Sequence, residues 1–178
     1  MHFMHRAHSA YRSGVGAIMG GQIFESQALL RLCLEHGAYG SFIGGDVERA
    51  VLWLTRGESD EKRKAMRREF HNERIREHLA AASPKCAEQF DWLYNQLIDL
   101  GAHPNEAGYA ANWKISEDDD QVRLETLYLQ GDGIQMNASL KLAGQVALWV
   151  LHLMQLIYRE RYELLGVREQ MEEVRTRF

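Results

Sequence analysis

The stretch from residue 22 to 43, QIFESQALLRLCLEHGAYGSFI, carries apolar side chains on almost every face when wound at about 100° per residue. A helix with no side to offer water belongs in the middle of a bundle, with other helices around it. The rest of the chain can supply them. At 178 residues it has the length of one ordinary domain, enough to bury roughly 70% of the surface of its unfolded form. Helical periodicity predicts further helices at about 3–20, 47–56, 60–82 and 84–100. Ser59 or Asp60 is suited to cap the third of these, whose apolar positions Met66, Phe70, Ile75 and Leu79 drift around the helix as in a solvated outer helix. Ser83 as cap, Pro84 at the first position and Gly101 as the stop punctuate the fourth.

After residue 110 the period changes to two. Strands are expected at about 111–116, 121–129 and 133–138, with GDG at 131–133 as a hairpin turn. The helical period then returns over 139–165, and Gly166 sets off a polar helix at 167–176. The expected fold is mainly α, a single helical domain. It is a bundle with a small antiparallel hairpin or three-stranded sheet inserted before the last long helix.

Composition narrows the function classes. With 21 basic and 25 acidic residues the net charge is -4, which gives no electrostatic footprint for nucleic acid. Cys33 and Cys86 are isolated within helical stretches and read as reduced, buried thiols in a cytoplasmic protein. The apolar run 142–158 contains Gln145, His152 and Gln155, so it is expected as a core helix and not as a membrane span. GVGAIMGG at 14–21 resembles a nucleotide loop but follows no strand, and close helix packing explains it better. His2, His5 and His8 recur every third residue in what reads as a frayed terminus. No metal-binding or serine-hydrolase motif occurs, and no cofactor is implied.

Three polar groupings are candidates for chemistry. Gln27, Arg31 and Glu35 are spaced by four and form one column, while His36 lies about 140° away. Gln145 and His152 lie on a polar stripe of the late helix. If the two columns meet, Arg31, Glu35, Gln145 and His152 form either a small-ligand site or a seam that fixes helix register. In GAHPNEAG, His103 and Asn105 sit where a helix begins and could flank an anion or carboxylate. Lys64, Arg67 and Arg68, beside His71, make the most basic spot in the chain and the first place to look for a phosphate contact.

The helical order and the phrase ALLRLCLE in the second helix resemble uncharacterised bacterial all-helical proteins related to the HEPN superfamily, over residues 3 to 110 or so. Active members of that superfamily are metal-independent, dimeric ribonucleases with an Arg-x(4 to 6)-His motif, usually with a polar residue directly after the arginine. Arg31 and His36 satisfy the spacing here, and Leu32 departs from the pattern. The resemblance implies that Arg31 would stabilise charge on phosphorus while His36, or else His103, moves protons. Because Arg31 and His36 point in different directions on one helix, a dimer interface or a second element would have to bring them to one phosphate. The expected function is a self-associating helical binding or interaction module with a small-ligand site. The alternative is the metal-independent endoribonuclease, with RNA as its partner. A homo-oligomer is expected, a dimer first, because an exposed edge strand can pair with a copy of itself.

Overall fold

The computed structural model describes residues 2–104, 106–110, 112–118 and 121–176, and among them the chain is mainly α-helical with one two-stranded antiparallel hairpin. The helices before the hairpin are α1 (His2–Met19), α2 (Ile23–Ile43), α3 (Val47–Leu54), α4 (Asp60–Glu69), α5 (Asn72–Ala82), α6 (Pro84–Leu97) and α7 (Glu106–Ala110). A π-helical turn, Ile98–Ala102, extends α6. The strands β1 (Trp113–Asp118) and β2 (Gln121–Thr126) follow, then α8 (Ile134–Ile157), α9 (Arg159–Leu164) and α10 (Val167–Arg175).

The apolar helix α2 is the axis of the fold, as its sequence predicts. It packs against α1, α3, α5, α6, the π turn and α8, and Leu30, Leu34, Phe42 and Cys33 are all buried. Two glycines set how closely its largest neighbours approach. A Cβ on Gly14 of α1 would lie 3.0 Å from Leu30 Cδ2, and one on Gly37 of α2 would lie 2.9 Å from Val150 Cγ2 on α8. The GVGAIMGG glycines therefore serve packing at Gly14, although Gly16 meets nothing. The first helix begins at His2, so the exposed His2, His5 and His8 lie on a formed helix and not on a frayed end.

The predicted helix 60–82 is two helices, and the drift of its apolar positions is the reason. Phe70 and Ile75 are five residues apart, so in one continuous helix they would point about 140° apart. Breaking the helix at Phe70 and His71 lets both be buried. Phe70 then stacks on Tyr39 at 5.5 Å and meets the edge of Phe42 at 5.3 Å. Ser59 caps α4 by accepting from the Lys62 N–H at 3.2 Å, and Ser83 caps α6 by accepting from the Cys86 N–H at 3.4 Å. Gly101 closes the π turn at φ 144°, where a Cβ would lie 2.7 Å from the Phe24 carbonyl oxygen.

The hairpin differs from its sequence reading. Its strands pair Trp113 with Thr126, Ile115 with Leu124 and Glu117 with Val122, so the connection falls on 119 and 120, outside the described residues, and not on GDG. The expected start at 111 also lies outside them. There is no third strand among the described residues: 133–138, predicted as one, belongs mostly to the start of α8. Ile134 and Met136 fit a period of two, but Met136, Ser139 and Ala143 fit a helix face, and burial of those three selects the helix. Helix α8 is long and apolar enough to cross a membrane, yet Val146, Trp149, Val150 and Leu153 are buried against the bundle, as in a core helix. The predicted helix 139–165 is interrupted at Tyr158, after which α9 buries Tyr162.

The close approach at Gly37 gives a measurable consequence. Alanine in a helix interior ordinarily gains about 1 kcal/mol over glycine. At Gly37 the added methyl meets the stiff, branched Val150, so Gly37→Ala should instead lower the unfolding free energy by about 1–3 kcal/mol. Urea denaturation checks this. The loss in the double variant Gly37→Ala with Val150→Ala should be smaller than the sum of the single losses.

Candidate functional site

The polar column of α2 does not stay together. Arg31 Nε donates to Glu35 Oε1 at 2.9 Å, an Nη of Arg31 donates to the Ala102 carbonyl oxygen at 3.4 Å, and the guanidinium lies 5.3 Å from the Tyr94 ring centre. The pair thus faces α6 and the π turn, at about one-third exposure. The hydrogen bond that Arg31 donates to Glu35 raises the Arg31 pKa further. Gln27 is fully buried instead, and its Nε2 donates to the Ile23 carbonyl oxygen at 3.0 Å and to the Ser139 hydroxyl of α8 at 3.4 Å. Gln145 is half-buried and His152 exposed, and neither bonds to Arg31 or Glu35 among the described residues.

His36 turns toward α1, with its ring centre 6.0 Å from that of Phe3. Burial lowers its pKa below the ordinary 6.5, Arg6 lowers it further, and Glu35 acts in the opposite direction. Arg31 and His36 therefore diverge, one toward α6 and the other toward α1. His103 is exposed, with Nδ1 3.2 Å from the Pro104 carbonyl oxygen, and Asn105 lies outside the described residues. Lys64, Arg67 and Arg68 are exposed along α4, and none of the three is in an ion pair among the described residues. Both cysteines are free and buried. Burial pushes the Cys33 thiol up to about 12 and raises that of Cys86, which makes both poor nucleophiles.

Two features have no counterpart in the sequence reading. The Ser41 hydroxyl lies 3.2 Å from His78 Nε2, joining α2 to α5, with the imidazole edge-on to Phe42 at 5.4 Å. A hydroxyl against an imidazole is half of a nucleophile and base arrangement. Ser41 is only 6% exposed, however, and no carboxylate orients His78 among the described residues, so the contact acts as a clamp between helices.

The second feature is a cleft of about 330 Å³ where the amino end of α2, helix α7 and the base of the hairpin meet. Phe24, Tyr109, Trp113 and Tyr128 are its aromatic lining. The ring centres of Phe24 and Tyr109 are 6.4 Å apart at 52°, and those of Tyr109 and Trp113 6.1 Å apart at 59°. Both pairs are tilted and not stacked. Glu25, exposed in the first turn of α2, is the acidic residue among the described residues of the cleft lining. Its structure is held by a run of bonds: Gln130 N–H to the Gly21 carbonyl oxygen at 2.9 Å, Gln130 Nε2 to Asn112 Oδ1 at 2.9 Å, and Asn112 Nδ2 to the Gly108 carbonyl oxygen at 2.9 Å. No family model, curated protein or solved structure matches the chain. The spacing of four between Tyr109 and Trp113 was the one sequence signal for the cleft; Phe24 joins them only through the fold.

The two half-buried histidines set a pH dependence. Burial holds both His36 and His78 below the ordinary 6.5, with Arg6 and Arg49 respectively adding to the effect. The unfolded chain then binds more protons than the folded one as pH falls through 6.5 toward the folded-state values. Their contribution to stability is complete above that window and is lost within it. Urea midpoints measured from pH 8 to pH 5.5 should fall toward acid, and the His36→Gln, His78→Gln double variant should flatten the curve. An unchanged slope in the double variant would assign the pH dependence to other groups.

Proposed function

We propose that the protein is a self-associating interaction module, and that its hairpin is the surface on which a second copy docks. The observation that carries this reading is an amphipathic hairpin whose apolar face the rest of the chain leaves open. Trp113, Ile115, Val122 and Leu124 share one face with Glu117 and Thr126 through the strand register, with Ile115, Val122 and Leu124 exposed by 61%, 70% and 53%. Lys114, Arg123 and Glu125 lie on the other. Every residue of β2 is exposed, so its outer edge presents backbone donors and acceptors ready to pair.

The charges of β2 favour a copy of itself as the occupant. Antiparallel pairing of two β2 strands centred on Leu124 sets Arg123 opposite Glu125 of the second copy, and the two-fold axis repeats the pair. It also places Leu124 on Leu124 and Val122 on Thr126, which extends one apolar face across both hairpins. Registers centred on Arg123 would oppose like charges. The reduced, buried thiols support an intracellular, cytoplasmic setting. On this reading the Arg31 and Glu35 pair is a clamp on the end of α6, with its charges already matched.

Native mass spectrometry and light scattering test the proposal. A dimer is expected at micromolar protein. Arg123→Glu should weaken it by about tenfold or more, since like charges would then face each other twice. Adding Glu125→Arg should restore it, with unchanged helical circular dichroism throughout. A wild-type chain that stays monomeric at high micromolar concentration would overturn the reading.

A further inference from the structure

We infer that the cleft at the base of the hairpin binds an alkylated ammonium group, held against Phe24, Tyr109 and Trp113 with Glu25 as counter-charge. Size is the first argument. A space of about 330 Å³ lies at the small end of ligand sites and has room for a compact head group.

The walls are the second argument. Phe24, Tyr109 and Trp113, from three different elements, line one small space together with Tyr128, and Tyr109 and Trp113 keep 53% and 42% of their surface exposed. Ring faces carry the negative side of the aromatic quadrupole and attract cations, with tryptophan the strongest of the set. Charge is the third. Among the described residues lining the cleft there is no lysine, arginine or histidine, and Glu25 supplies the one carboxylate. The amino end of α2 contributes a partial positive charge of about half a unit, which the full charge of Glu25, placed in the first helical turn, outweighs.

An alkylated ammonium fits better than a bare one. A bare ammonium keeps a tight hydration shell and needs an acceptor for each N–H, whereas a trimethylated one presents a soft, weakly hydrated surface to the rings. The site is also built before any ligand arrives. Phe24 is set by the turn at Gly101, where a side chain would collide with the Phe24 carbonyl oxygen at 2.7 Å. Gly21, at φ 81°, admits the Gln130 backbone at a distance where a Cβ would again be 2.7 Å from the nearest oxygen. These two contacts fix the α2 end against the π turn and the hairpin base, and so limit the ordering that binding would require.

Calorimetric titration of the full chain with choline, with its neutral isostere 3,3-dimethylbutanol, and with a peptide carrying trimethyllysine tests the inference. Choline or the peptide should bind, with the neutral isostere about tenfold weaker. Glu25→Gln should remove most of that difference, and Tyr109→Leu should weaken the cations while circular dichroism stays unchanged. Tighter binding of the peptide than of choline would assign the group to a modified lysine side chain, and the reverse order to a free quaternary amine; both uphold the inference. No binding of either cation at millimolar concentration, or equal binding of the neutral isostere, would overturn it. Neither Glu25 nor Tyr109 lies on the hairpin, so failure here leaves the oligomer measurement independent.

Discussion

Close packing around α2, whose exposed residues are confined to a narrow strip at Glu25, Ala28 and Leu32, organises this molecule. Over most of its length α2 must be covered, and α1 and α8 come near enough to cover it because Gly14 and Gly37 remove the side chains that would hold them off. The interior is dense enough that a single methyl at such a contact is felt. Apolar side chains are left in water on helices that pack against α2, as at Val47 and Leu54 of α3, and also on elements away from it. Val122 and Leu124 of the hairpin, and Leu164 and Leu165 beside α10, are all exposed.

Ionisable and polar groups on α2 are settled at its flanks by short, local solutions. Arg31 is matched by Glu35 and by the carbonyl oxygen of Ala102. At the carboxyl end, Arg49 of α3 donates to the Phe42 carbonyl oxygen at 3.1 Å and to Glu69 at 3.1 Å, and lies 4.0 Å from the centre of the Phe42 ring. It thereby ties α2, α3 and α4 together at a point where helix carbonyls lack partners. Gln27 is less fully matched. Its Nε2 is well placed, while its Oε1 has no partner among the described residues. Chemistry that calls for unmatched groups therefore moves away from the middle of α2, to its amino end and to the hairpin.

The cleft and the apolar hairpin face are neighbours, and Trp113 belongs to both. A ligand seated in the cleft would rest against the base of the strands proposed to pair with a second copy. The short bonds through Asn112 and Gln130 give that base a defined shape.

By itself, the sequence determined the helical class, the central place of the helix over 22–43, the caps at Ser59 and Ser83 and the pairing of Arg31 with Glu35. These rest on periodicity and on contacts within four residues along the chain, which local spacing encodes. It misjudged features that depend on what packs opposite. A break at Phe70 was needed to bury both Phe70 and Ile75, and 133–138 became helix because Met136 and Ser139 found a buried face. The candidate sites were the least legible part. Arg31 and Glu35 turned to α6 and Gln27 to α8, while Gln145 and His152 met neither. The walls of the cleft come from residues 24, 109 and 113, which only the turn at Gly101 and the anchoring of Gln130 to Gly21 bring together. Local pattern decides which segments wind into helices. Which faces meet is decided by close packing between segments far apart in the chain, and the cleft is a product of that second step.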